Sequence, residues 1–359
     1  MHASSPPLLT DLLKQVSRSF YLTLRVLPGA IRPQIGLAYL MARASDTIAD
    51  TEVVPVSMRL NALEALRERF QGKSTAPLNL AEFAFCAKSS RAEVSSNNPV
   101  TLSAGDAHSS SDAERALLER IEEALSLVNQ FSQDDQQRIR QVLETITSGQ
   151  SLDLSRFAGA TQRHIVALQS DEELDDYTYR VAGCVGEFWT RICRAHLFPK
   201  AAVDEAALLG NGNRFGKGLQ LTNILRDLPS DLAQGRCYIP AGRLREIKLP
   251  PEALLHPATM PAFRPLYQGY LAQAEAHLAA GWTYTNTLPR GCARVRLACA
   301  WPILIGMRTL RRLRETNVLD ASRRIKISRQ EVRKLLLLSL VCYPWPRAWD
   351  GLFERAGRA

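Results

Sequence analysis

Apolar residues return every three or four positions over long windows of this chain, the period of a helix that buries one face. Arg59–Phe70, Asp112–Phe131 and Asp134–Ile146 carry the pattern most clearly, and each predicts a helix. Alternating β-branched runs are scarce, so no sheet is expected and the predicted fold class is all-α. Two stretches break the period. Lys88–Ser111 is rich in Ser, Asn, Ala and Gly, and too poor in apolar residues to offset its ordering entropy, which predicts a disordered surface insertion between two helices. Lys248–Pro265 contains five prolines and is expected to form an ordered loop ahead of the next helix. No repeat of solenoid period is present, and residues 1–359 read as a single domain.

Composition narrows the class. The chain has 359 residues and 46% hydrophobic content, enough for a large core. Seven Cys without a CxxC pair, and a start lacking a basic-then-apolar export pattern, are expected of a protein kept in a reducing cytoplasm. No apolar run approaches the ~20 residues of a membrane-spanning helix. The best candidate, Leu335–Cys342, is stopped by Pro344 and Pro346.

The formal net charge is +9, densest over Arg308–Lys334, where ten Lys or Arg face three acids. Such a balance suits nucleic acid, an anionic membrane face or a polyanionic substrate. Nucleic acid is set aside, because helix-turn-helix, zinc and interleaved aromatic–basic signatures are missing. The basic stretch runs into Tyr343, Trp345 and Trp349. That combination predicts either peripheral contact with anionic lipid or a tail that packs back on the domain with solvated arginines. A monomer is expected.

Two acidic motifs carry the candidate chemistry. In Tyr39-Leu-Met-Ala-Arg43-Ala-Ser-Asp46-Thr-Ile-Ala-Asp50 the aspartates are four apart, so a helix stacks both on one face, with Tyr39 and Arg43 continuing it. In Gln220-Leu-Thr-Asn223-Ile-Leu-Arg226-Asp227-Leu-Pro-Ser-Asp231 the residues Asn223, Asp227 and Asp231 repeat at the same spacing. Pro229 is expected to end or kink that helix, at roughly 3 kcal/mol in an interior position, leaving Asp231 displaced. Paired hard oxygens suit Mg²⁺, which takes one or two carboxylates plus water and phosphate oxygens. Arg18, Arg43, Arg214, Lys217, Arg226 and Arg236 lie nearby in sequence as candidate phosphate donors. A lone pair of this kind is usually a solvated face; two, each in an apolar stretch beside an Arg, point to a site. The six His lack metal-ligand spacing. Gly210-Asn-Gly212-Asn-Arg-Phe-Gly216 lacks the dinucleotide-loop spacing and a preceding strand, so it is expected to let helices pack closely.

At these residues the chain resembles the squalene and phytoene synthase family. Ser17-Arg18-Ser19-Phe20, Tyr39–Asp50, Tyr177-Thr-Tyr-Arg-Val-Ala182-Gly-Cys-Val185-Gly186, and Gln220–Asp231 followed by Gly235-Arg236-Cys-Tyr-Ile-Pro240 match four family elements in order. The resemblance implies an isoprenoid-synthase helical bundle with the two acidic motifs at the mouth of a central cavity. It implies head-to-head joining of two farnesyl diphosphates through presqualene diphosphate, then NADPH reduction to squalene, in sterol or hopanoid lipid synthesis. It assigns metal binding to Asp46, Asp50, Asp227 and Asp231, with Asn223 beside them. Diphosphate binding falls to Arg18, Arg43, Arg226 and Arg236. Ser19 and Phe20 bind substrate; Tyr39, Tyr177, Gln220 and Asn223 line the reacting centre, and Tyr177 moves the proton lost on ring closure. Small residues at Ala182, Val185 and Gly186 make room for a prenyl chain; without the resemblance they read as helix-packing positions. Lys326-Ile-Ser-Arg329 loosely resembles a basic segment near the reductant, which assigns Lys326 to NADPH.

The first motif departs from eukaryotic members, which carry more acids after it. Dehydrosqualene, phytoene or presqualene diphosphate as the end product remains an alternative, as does a non-catalytic helical scaffold, which should have lost its aspartates.

Overall fold

The computed structural model describes residues 11–17, 20–86, 104–323 and 325–357. Helices supply nearly all of its regular structure, as the periodicity requires. Backbone contacts group the chain into two compact units: Met1–Ser155 with Ile192–Leu197, and Arg156–Arg191 with Phe198–Ala359.

The first unit contains α1 (Asp11–Ser17), α2 (Phe20–Val26), α3 (Arg32–Asp50), α4 (Val56–Gln71), α5 (81–86), α6 (Ala104–Glu119), α7 (Ile121–Val128) and α8 (Gln133–Arg156). α3 is its hub and packs against α1, α2, α4, α6 and α7. Pro33 sits in its first turn, where a missing N–H costs nothing. From Gln34 to Ala49 every residue is buried except Tyr39, Ala42, Arg43 and Asp46. Leu37, Leu40, Met41, Ala44 and Ile48 are wholly inaccessible, so hydrophobic burial holds α3 in place from several sides.

Of the expected insertion, residues 88–103 lie outside the described residues. The backbone of 104–111 is helical and forms the first turns of α6, so the non-helical reading is corrected there. Ala113, Leu117 and Leu118 are buried further along α6. Once such a turn is anchored, extending the helix is far easier than nucleating it.

A buried polar cluster fixes the start of α3. Asp135 of α8 accepts hydrogen bonds from Gln34 Nε2 at 3.2 Å and from the Arg138 guanidinium at 2.7 Å. It also lies 2.7 Å from Nε2 of His196, in the last turn of the helix Cys184–Leu197. Burial alone would raise the Asp135 pKa; the Gln34 and Arg138 bonds and the His196 ring overcome it and hold the carboxyl below its ordinary 3.8. A depressed carboxyl pKa stabilises the fold above the unfolded-state value and loses that effect as pH falls through the folded-state value. Asp135→Asn should therefore lower stability at pH 7 by about 1–3 kcal/mol, with the gap to wild type closing below pH ~4. Urea midpoints at pH 7 and pH 3 check this; an equal gap at both would contradict it.

The second unit contains α9 (Asp171–Thr178), a π-helical turn (Tyr179–Gly183), the start of α10 (Cys184–Leu197), α11 (Glu205–Ala233), α12 (Ala241–Glu246), α13 (Met260–Thr287), α14 (Ala293–Glu315), α15 (Arg329–Cys342) and α16 (Pro346–Gly357). α11 is the axis and packs on the π turn, α9, α13 and α14. The proline-rich Lys248–Pro265 stretch forms two 3₁₀ turns, Pro251–Leu255 and Pro257–Thr259, and then enters α13.

One small sheet departs from the all-helical expectation. β1 (Val166–Ala167) pairs in parallel with β2 (Arg236–Cys237), Val166 opposite Arg236. Extended backbone needs partners for its buried polar groups, and Val166 N donates to Gly235 O at 2.9 Å while Leu168 N donates to Cys237 O at 3.0 Å. Gly235 makes the turn from α11 into β2 at φ +83°, where a Cβ would also lie 2.3 Å from Thr161 N.

Candidate active site

The unburied stripe of α3 brings together the residues singled out in the first motif. Tyr39, Arg43 and Asp46 are half-buried and Asp50, at the helix end, is exposed. Asp46 keeps 47% of its side-chain surface yet is ringed by protein. Its Oδ1 accepts a short hydrogen bond from Gln150 Nε2 of α8. Desolvation, and then the Asp50 carboxylate one turn on, push its pKa up to about 7, against the pull of Arg43 and Gln150. A cation between the two carboxylates would relieve that repulsion. Arg43 is held on the same stripe, 2.5 Å from Glu114 of α6 and 3.9 Å from Asp46. Glu114 and Gln150 were not singled out in the sequence. They come from other helices, and no local spacing ties them to the motif.

In the second unit Gln220, Asn223, Asp227 and Asp231 form a half-buried stripe along α11, flanked by buried Leu221, Thr222, Ile224, Leu225, Leu228 and Leu232. The Arg226 guanidinium forks onto Asp227, with Nε at 2.9 Å and Nη2 at 2.5 Å. α11 runs unbroken through Pro229 to Ala233, which corrects the expected break and keeps Asp231 on the face of Asp227.

The reason lies in another helix. Pro229 has no N–H, so the carbonyl four residues earlier, on Leu225, loses its helical donor. Tyr267 of α13 supplies one: its hydroxyl donates to Leu225 O at 3.0 Å, and both residues are wholly buried. Tyr267→Phe should cost about 1–3 kcal/mol by stranding that carbonyl. The cost should shrink in a Pro229→Ala background, where the N–H is restored. Chemical denaturation of the four proteins reads this coupling, and equal costs in both backgrounds would refute it.

Tyr177, near the end of α9, is half-buried and stacks on Tyr238 with ring centroids 4.8 Å apart. Tyr238 meets the Phe157 ring edge-on at 5.2 Å. This joins the Tyr177–Gly186 element to the Gly235–Pro240 element. Ala182 and Gly186 face the Gly212–Gly216 segment of α11. A Cβ on Gly186 would fall 1.9 Å from Gly212 O, and one on Gly216 would fall 2.1 Å from Ala182 O. The space beside Gly186 is thus filled by backbone. Its lack of a side chain serves helix contact, as expected for the Gly210–Gly216 run, rather than opening room for a ligand. Val185 is exposed.

Arg236 is half-buried on β2. Lys217 is bound to both Asp175 oxygens at 2.7 Å. Arg214 turns away from the stripe toward α13, donating to Ala276 O at 3.1 Å and His277 Nδ1 at 3.4 Å, which removes it from the phosphate candidates. Lys326 is exposed just ahead of α15, and its carbonyl accepts from Arg312. Arg18, Ser19 and the Phe20 side chain lie outside the described residues. Two cavities of the first unit, about 280 and 390 Å³, are lined by other residues.

The donor chemistry fits a hard divalent cation. Each stripe offers two carboxylates one helical turn apart, and among the described residues no cluster of three His, Cys, Asp or Glu forms a closed protein cage. Proteins commonly hold Mg²⁺ through such open sets, with water and phosphate oxygens completing the shell.

Comparison with known proteins bears on these motifs. The Squalene/phytoene synthase family profile matches residues 13–331. The chain is 26% identical over 246 residues to a bifunctional lycopene cyclase/phytoene synthase of Blakeslea trispora, covering 66% of this chain and 33% of that protein. It is 26% identical over 240 residues to the squalene synthase of Saccharomyces cerevisiae, covering 66% of this chain and 46% of that protein. The match thus spans less than half the length of either relative. The structure of a TcSQS complex with the ligand E5700 superposes with a TM-score of 0.71 at 21% identity, over 98% of this chain and 96% of that one. A dehydrosqualene synthase complex superposes at 0.58 and 19%, over 92% and 93%. These likenesses show a shared helical fold.

Proposed function

This chain belongs to the squalene/phytoene synthase family, and on that premise we propose that it joins two farnesyl diphosphates head to head with Mg²⁺, giving squalene with NADPH as reductant. The observation that carries the reading is the pair of carboxylate stripes, each on a helix whose other faces are largely buried. Asp46 and Asp50 form one cation-binding set, and Asp227 and Asp231 with Asn223 form the other. Bound Mg²⁺ supplies charge neutralisation of the diphosphate leaving group.

The chain's own side chains do the rest. Arg43, Arg226 and Arg236 donate to phosphate oxygens. Arg226 is held by its fork on Asp227 and would turn to a phosphate oxygen when that carboxylate holds a cation. Tyr39, Gln220 and Asn223 orient the reacting carbons. The allylic cation left by the first diphosphate is attacked by the double bond of the second molecule. Tyr177, its ring fixed against Tyr238, relays the proton released on cyclopropane closure to the departed diphosphate. Lys326 is assigned to the reductant phosphates.

Similarity to phytoene synthases, including 31% identity over 145 residues to that of Enterobacter agglomerans, favours a second reading in which geranylgeranyl diphosphate is condensed without reductant. Incubation of the protein with each diphosphate and Mg²⁺, with and without NADPH, followed by mass spectrometry of the extracted lipid, separates the two. Squalene appearing only with NADPH is the expected result. Phytoene from the C20 substrate, or the same C30 product with and without NADPH, would overturn the squalene reading.

A further inference from the structure

Among the described residues, five of the nine large hydrophobic side chains that stand exposed fall in one short stretch: Leu337, Leu338, Leu340, Val341 and Trp345. Their exposures run from 40% to 63%, unusual for one helix of a globular protein. Surface leucines scattered singly would need no account; these share one face of α15 and its C-terminal turn. The opposite face is pinned. Ser339, wholly buried, accepts from Trp301 Nε1 of α14 at 2.9 Å, and Cys342 is buried beside it. Tyr343 donates to Arg290 O at 2.6 Å, and Trp349 stacks on Trp282 at 5.2 Å. The tail therefore packs back through Tyr343 and Trp349, while α15 turns its leucines outward.

The charge beside this face has one sign. Arg333 and Lys334 are exposed one turn before Leu337 and Leu338, and Arg347 is exposed just beyond Trp345. No Asp or Glu occurs from Val332 to Trp349. Glu331, the nearest acid before them, is held by Arg312 at 2.7 Å and by the Ser328 cap. With 14 residues, α15 is about 21 Å long. No helix among the described residues is long and apolar enough to cross a membrane.

We infer that the outer face of α15 is a docking surface for anionic lipid. Leu337, Leu338, Leu340 and Val341 enter the acyl boundary, Trp345 sits at headgroup level, and Arg333, Lys334 and Arg347 meet the phosphates. A second copy of the chain is a poorer occupant, because it would offer back a face of the same positive sign, with no acid from Val332 to Trp349 to meet it. The inference stands on this surface alone and does not depend on the proposed reaction.

Sedimentation of the full chain with vesicles tests it. Vesicles of equal parts phosphatidylglycerol and phosphatidylcholine should carry the protein down at low salt, and pure phosphatidylcholine should carry at least several-fold less. Raising salt toward 1 M, where screening acts over about 3 Å, should release most of it. Leu337→Gln with Val341→Gln should weaken partition by about tenfold or more, and Lys334→Ser by about fivefold, both with unchanged melting. Trp345→Phe should remove the lipid-induced blue shift of tryptophan emission while sedimentation persists. Equal sedimentation with the two vesicle types, or full binding by the double Gln variant, would overturn the inference. So would a wild-type dimer that the double variant dissociates while neither protein binds vesicles.

Discussion

Asp227→Asn is expected to cut release of diphosphate from farnesyl diphosphate by about 10³-fold or more, since a lost metal ligand removes several kcal/mol of leaving-group stabilisation at about 1.4 kcal/mol per decade. Asp46→Asn should do the same from the other stripe. Neither should unfold the protein. The Asp227–Arg226 pair is partly exposed, at 45% and 35% of the side-chain surface, and such pairs contribute about 0–1 kcal/mol. Asp46 is destabilised by desolvation and by Asp50, so an amide there leaves the melting temperature unchanged or higher. Because α11 is continuous through Pro229, Asp231→Asn should be nearly as damaging as Asp227→Asn. Turnover and thermal melting measured side by side check all three. A variant with wild-type turnover would remove its carboxylate from the metal assignment.

The largest loss of stability is expected from Gly186→Val. Its Cβ would have to occupy a point 1.9 Å from Gly212 O and 2.5 Å from Gly212 C, and both obstacles are helix backbone. The π turn and α10 would have to move off α11, which also holds the second carboxylate stripe. Overpacking of this kind costs about 3 kcal/mol or more when no side chain can swing aside. Gly291→Ala is the control, for nothing lies within 4 Å of its added carbon. Urea denaturation should show a large fall in midpoint for the first and almost none for the second. Similar midpoints for both would mean that the helices separate more easily than this contact suggests.

How far each feature could be read ahead depended on whether its cause was local. The helices at Val56–Gln71 and Gln133–Arg156 follow from apolar periodicity, and the two carboxylate stripes follow from four-residue spacing. Close helix contact was legible in the Gly210–Gly216 run, because closely spaced glycines have few other uses in a helix; it is met at Gly212 and Gly216, while nothing lies within 4 Å of a Cβ added at Gly210. The continuity of α11 was not legible: Pro229 is a local stop signal, and its remedy, Tyr267, lies 38 residues on. Gln150 and Glu114 reach the first stripe from α8 and α6, at separations that no motif records. Arg214 looked like a phosphate donor by proximity in sequence, but its position on the helix faces α13. The helical backbone at 104–111 escaped a reading based on composition, because its order comes from the helix it extends.

The central claim, that these carboxylates serve a divalent cation in ionising a prenyl diphosphate, is tested most directly by one titration. Inorganic diphosphate released from farnesyl diphosphate by the full chain would be followed as Mg²⁺ is added, and again in excess EDTA. Release should rise with Mg²⁺ to a plateau and stay at background under EDTA. Full release in EDTA would contradict the claim.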